Sequence, residues 1–208
     1  MVGQVRSVRI SSRRGSVEVI AETRDDVVAH KDGEPVQPAI EDGITTIASR
    51  RSPLRVSVPE GTDVVIGTVS GNVTCTGPLG HVAVHTVSSR IEVERATRVD
   101  ARTVSGRVVV GNCEGEVRCD VGSGRAEVET AGAVYLNTTS GRIVARRVRG
   151  KMRARSVSGR IQVGLTETPL DAKVECVSGR IQVRVPRGAR PTTRLVTKHG
   201  RVTNPLVS

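Results

Sequence analysis

Seven arginines recur at a nearly fixed interval, at Arg90, Arg107, Arg125, Arg142, Arg160, Arg180 and Arg201. Each follows a small doublet: Ser-Ser before Arg90, His-Gly before Arg201 and Ser-Gly before the rest. A planar guanidinium offers paired N–H donors that match phosphate and carboxylate oxygens, so arginines in register would form a grip for a polyanion. Two more candidates, Arg153 and Arg155, lie between Thr130 and Thr166. That stretch also carries Arg142, Arg146, Arg147, Arg149, Lys151 and Arg160, and it contains no acid. Local neutralisation is therefore expected to fail there. Glu92 and Glu127, two residues beyond Arg90 and Arg125, can offset charge in the earlier copies. The formal net charge of +11 and pI of about 10.8 point the same way, toward anionic partners.

Nucleic acid, anionic lipid and an anionic envelope polymer all fit as that partner. Tyr135 is the only aromatic residue, so the stacking platforms typical of single-strand nucleic-acid binders are missing. A competing reading needs no ligand: solvated arginines occupy outward strand positions and deter edge pairing. Catalysis finds less support. His81 and His85 are four residues apart in an alternating segment, which in a strand separates them by roughly 13 Å, too wide for one metal. His30 and His199 stand alone. The recurring serines have no base recurring beside them, and Asp25, Asp26 and Glu22 belong to no repeating acidic column. Cys75, Cys119 and Cys176 alternate with polar residues and read as small buried hydrophobes, while Cys113 and Cys119 form no Cys-x-x-Cys pair. The expectation is a non-enzymatic protein without cofactor or metal.

What would align these arginines is a repeat. The phrases TVSGNV, TVSSRI, TVSGRV, VGSGRA, TTSGRI, SVSGRI, CVSGRI and TKHGRV place a serine at positions 70, 88, 105, 123, 140, 158 and 178, with His199 in the last copy. The gaps are 18, 17, 18, 17, 18, 20 and 21 residues. So short a period marks a solenoid, in which each coil buries its face only against its neighbours. Within a copy, apolar and polar residues alternate with the period of a strand: Ile143 and Ala145 after the Ser-Gly, Met152, Ala154 and Ser156 after Gly150. Three inward columns are expected. One runs from Val73 through Ile91, Val108, Ala126, Ile143, Ile161 and Ile181 to Val202, the next from Cys75 to Val183, and the third from Thr68 to Thr197.

The fold class expected is all-β: a right-handed parallel β-solenoid (β-helix) with 17–21-residue coils, two or three strands per coil and an irregular β N-terminal cap. Residues 1–60 are the cap and 61–208 the solenoid, with degenerate coils possible at Gly15, Gly33 and Ser52, which precede Gly71 at similar spacings. Parallel strands about 4.8 Å apart would string the seven arginines over roughly 29 Å. Pro186, Pro191 and Pro205 would discourage another chain from adding to the last coils.

The run SPLRVSVPEGTDVVIGTVSGNVTCTGPLGHVAVHTVSSRIEV resembles the bacterial DUF4097 family of adhesin-like, β-strand-repeat proteins, through VPEGTDV leading into recurring T-x-S-G units. The resemblance implies a β-solenoid and links to envelope-stress responses. Such repeats commonly carry Asp after Ser-Gly, where this chain has Arg. No apolar run at the N-terminus reads as a signal peptide and no segment is apolar enough to span a bilayer. The expected location is therefore cytoplasmic, with peripheral membrane contact open. The expected role is a scaffold or binding rod, alternatively a polyanion-binding module on the arginine ladder. A protein partner or self-association through stacked ends remains a third option.

Overall fold

A computed structural model describes residues 7–41, 44–166, 171–185 and 192–203. Every regular element among them is a β-strand. The strands are β1 (Ser7–Ser12), β2 (Val17–Glu22), β3 (Val28–Lys31), β4 (Glu34–Val36), β5 (Ala39–Glu41), β6 (Ile44–Ser49), β7 (Leu54–Pro59), β8 (Asp63–Ser70), β9 (Val73–Val148), β10 (Met152–Leu165), β11 (Asp171–Arg184) and β12 (Thr192–Thr203). The 76 residues of β9 far exceed an ordinary strand because its ladder runs unbroken around the corners of successive coils.

The corners are visible in the burial pattern. In β10, Met152, Ala154 and Ser156 are buried before Ser158-Gly159, and Ile161, Val163 and Leu165 after it. Burial switches from even to odd positions across the doublet, so both halves turn their apolar face to a shared interior. Successive coils pair in parallel and in register: Ser158 with Ser140 on one side and Ser178 on the other, Ile161 with Ile143 and Ile181. The stack is thus an all-β, solenoid-like body with its core between the two halves of each coil.

The three inward columns read from the sequence are buried through most of their length; Val73, Ile91, Val108, Ile143, Ile161 and Ile181 have no exposed surface. Val202 departs from its column. It pairs in register with Ile181's coil yet is 40% exposed, because β12 pairs only with β11 and no described coil lies beyond it. A further buried column, Leu79, Ala96, Cys113, Ala131, Val148, Leu165 and Val185, closes the core at the far corner. Valine, isoleucine and alanine fill this thin interior, and their β-branched or small side chains suit a pleated surface, which explains how the core does without aromatic residues.

The N-terminal region holds two coils, stacked out of chain order. Ile10 of β1 pairs with Ile47 of β6 on one side and Ile66 of β8 on the other. Val19 of β2 likewise lies between Val56 of β7 and Cys75 of β9. The coil of 7–22 is therefore sandwiched between that of 44–59 and the one beginning at 63. The corner column runs Ser52, Gly15, Gly71, since a side chain on Gly15 would meet the Ser52 carbonyl and one on Gly71 the Gly15 carbonyl. Gly33 is not in it. Asp32 and Gly33 have φ of 53° and 86°, the two-residue hairpin turn that joins β3 to β4. That hairpin and β5 pair antiparallel with β7 and β6 and cover the outer edge of the stack. Pro186, Pro191 and Pro205 lie outside the described residues.

Candidate anion-binding trough

Some corners are pinned from inside. At two of them the threonine two residues before the corner serine turns inward and its hydroxyl donates to a corner carbonyl, Thr68 Oγ1 to Ser70 O and Thr103 Oγ1 to Ser105 O, both 3.2 Å, whereas Thr138, Ser156 and Thr197 in the same place make no such bond. Cys176 Sγ replaces this bond at Ser178 O. The glycine that follows has a positive φ, 136° at Gly124 and 145° at Gly179, and any Cβ there would run into the carbonyl of the glycine one coil earlier. Only glycine meets both conditions. The T-x-S-G phrase is therefore first a recipe for stacking corners closely.

Close stacking sets the arginines. Arg142 pairs in register with Arg160, Arg160 with Arg180, and Arg180 with Arg201. Arg125, Arg142, Arg160, Arg180 and Arg201 line one open trough whose floor is the glycine column from Gly106 to Gly179. Arg90 and Arg107 continue the sequence of corners toward the N-terminus, since Gly106 stacks on Ser89 and Gly124 on Gly106.

The two ends of this column differ in charge. Arg90 is held by Glu92, and Arg107 and Arg125 both bind Glu127, at 3.0 and 3.2 Å. Partial burial opposes ionisation of Glu127, but the hydrogen bonds and charge of Arg107 and Arg125 outweigh it and hold the carboxyl below the usual range. The position two residues after the arginine reads Glu92, Val109 and Glu127 and then Val144, Gln162 and Gln182, so the acids end at Glu127. Gln162 Nε2 donates to Gln182 Oε1 at 3.0 Å. Among the described residues, Arg142, Arg160, Arg180 and Arg201 make no ion pair. Neighbouring guanidiniums about 5 Å apart repel by about 0.8 kcal/mol even at the dielectric of water.

Arg153 and Arg155 are placed elsewhere. They stand on the half of β10 before the corner, in register with Tyr135 and Asn137, away from the trough. Each is neutralised by the next coil: Arg153 by Asp171, and Arg155 by Glu175 at 2.8 Å. Arg146 and Arg147 likewise meet Glu129, at 2.9 and 3.3 Å. The expected failure of neutralisation between Thr130 and Thr166 is thus corrected for half of its cations. The acids lie outside that window in sequence but one coil away in space, an offset of about one period that a linear scan passes over.

His81 Nε2 bonds Asp100 Oδ2 at 3.0 Å, where Asp100 also receives Arg98. All four cysteines are buried and free; burial pushes the Cys75 thiol up to about 12 and Cys119 higher still. Among the described residues no three His, Cys, Asp or Glu side chains are grouped to hold a metal, and no helix is long and apolar enough to cross a membrane. One outward column escaped the sequence reading: Val69, Val87, Val104, Val157 and Val177, each just before a corner serine, are 42–62% exposed. The period-two alternation that buries Thr68 and Thr86 was the signal for it.

A family model described as Toastrack DUF4097 matches residues 38–207. No curated protein and no solved structure matches the chain.

Proposed function

The chain belongs to the DUF4097 (Toastrack) family, and from there we propose that it is a non-catalytic binding rod whose grip is the arginine trough between Arg142 and Arg201. The reading takes the stack as a right-handed β-solenoid of 17–21-residue coils, the sense almost always adopted by parallel crossovers. One observation carries the binding role: four in-register arginines line a glycine-floored trough in which the acids of the earlier coils give way to valine and glutamine. Like charges held in a row oppose folding, and an anion running along the trough removes that cost. A rod of stacked coils suits the task because its surface repeats in one direction, as an extended anionic partner does.

Retention on heparin resin against a salt gradient tests this. Changing Arg142, Arg160 and Arg180 together to Gln should move elution to clearly lower salt and flatten the salt dependence by about two to three counterions. Changing Arg153 and Arg155, whose charges are already met by Asp171 and Glu175, should move it far less. If the triple variant elutes with the unaltered protein, the trough is not the grip.

A further inference from the structure

The corner edge carries an apolar stripe beside its cationic one. Val157 and Val177 are 50% and 42% exposed, and the pairing of Ser158 with Ser178 sets them side by side. Val69 and Val87, 50% and 48% exposed, are aligned in the same way through Ser70 and Ser88. Chain order puts the valines on the strand entering each corner and the arginines on the strand leaving it, with exposed serines between. Val104 and Val157 line a shallow groove with Thr103, Thr138 and Thr139, separate from the glycine–arginine trough. Arg102 and Arg155 border that groove, opposed by Asp120 and Glu175. The valine column is not a requirement of the fold, because Gly122, Thr139 and Lys198 occupy the same place in three coils.

We propose that this edge docks on an acidic bilayer, with Arg142, Arg160, Arg180 and Arg201 on lipid phosphates and Val157 and Val177, the exposed valines of the same coils, at the acyl boundary. The inference rests on the polyanion reading and names which polyanion. A soluble polymer such as nucleic acid makes no use of a row of half-exposed valines, whereas a lipid surface joins negative charge to an apolar layer at one depth. The single aromatic that could stack on a base, Tyr135, lies beneath the Arg118 guanidinium, 5.4 Å from its ring centre. Stable membrane attachment generally needs two signals acting together, and a basic row beside an apolar row supplies both.

Co-sedimentation with phosphatidylcholine vesicles, with and without phosphatidylglycerol, tests it alongside heparin retention. The protein should pellet with the acidic vesicles and stay in solution with the neutral ones. Val157→Thr with Val177→Thr keeps the branched shape that position 139 already accepts, so the coils should still form. This pair should weaken vesicle binding about tenfold and leave heparin elution in place. Arg160→Gln with Arg180→Gln should weaken vesicle binding by roughly fivefold per arginine and lower heparin elution as well. Vesicle binding unaffected by the valine pair overturns the inference. Retention on heparin without binding to acidic vesicles overturns it too, but leaves the polyanion reading standing; loss of both removes both.

Discussion

At Gly159 a single missing carbon decides how near two coils can come. Its φ is 157°, and an added Cβ would strike the Gly141 carbonyl, whereas a Cβ added to Gly67 in β8 would meet nothing within 4 Å. Gly159→Ala should lower the free energy of unfolding by about 2 kcal/mol and Gly67→Ala by less than about 0.5, both measured by urea denaturation. Glu127 acts at the same scale. It clamps Arg107 and Arg125, and its carboxyl is held below the usual range, so the stabilisation is complete above the unfolded value of about 4.3 and fades as pH falls through the lower folded one. Glu127→Gln should cost about 1 kcal/mol at neutral pH, with the difference vanishing in acid. The same change frees two arginines, so heparin elution should move to higher salt; an unchanged elution would mean that the column does not act as one surface.

Strands and corners set what those residues can reach. The antiparallel β3–β4 hairpin and β5 cover the first edge of the stack, and the turn at Asp32-Gly33 needs positive φ at both positions. Gly33→Val should loosen this cover and expose the ladder of β7, giving association that rises with concentration in light scattering. Much of this level was legible in the sequence. Alternation around Ile143, Ala145, Met152 and Ala154 gives the inward columns directly, and the Ser-Gly spacing gives the register that stacks Arg142 on Arg160. The order of the first coils was not legible, because Gly15, Gly33 and Ser52 are spaced like successive corners while Gly33 belongs to a hairpin. Spacing records distance along the chain and carries no information about which side of a coil the next one joins. For the same reason Asp171 and Glu175 were invisible as partners of Arg153 and Arg155, although Glu127, two residues from Arg125, was found.

For the molecule as a whole, stability should be close to a sum of coil and interface contributions. Ser158 occupies the place of Ser140, 18 residues earlier, so deleting 141–158 rejoins serine to glycine and leaves the columns continuous. That shortened protein should still unfold cooperatively, with a urea m-value lower by roughly a tenth. A deletion of half that length should fail to fold, as judged by lost strand signal in circular dichroism. The sandwiched position of the 7–22 coil has a consequence for biosynthesis. As the ribosome releases the chain, β1 and β2 emerge before either of the coils that will flank them, and Val8, Ile10, Val17 and Val19 have nowhere to hide. The coil of 44–59 can cover one side once synthesis has passed Pro59, but the other side is covered only after Thr76, so maturation of this protein cannot simply proceed from its leading end.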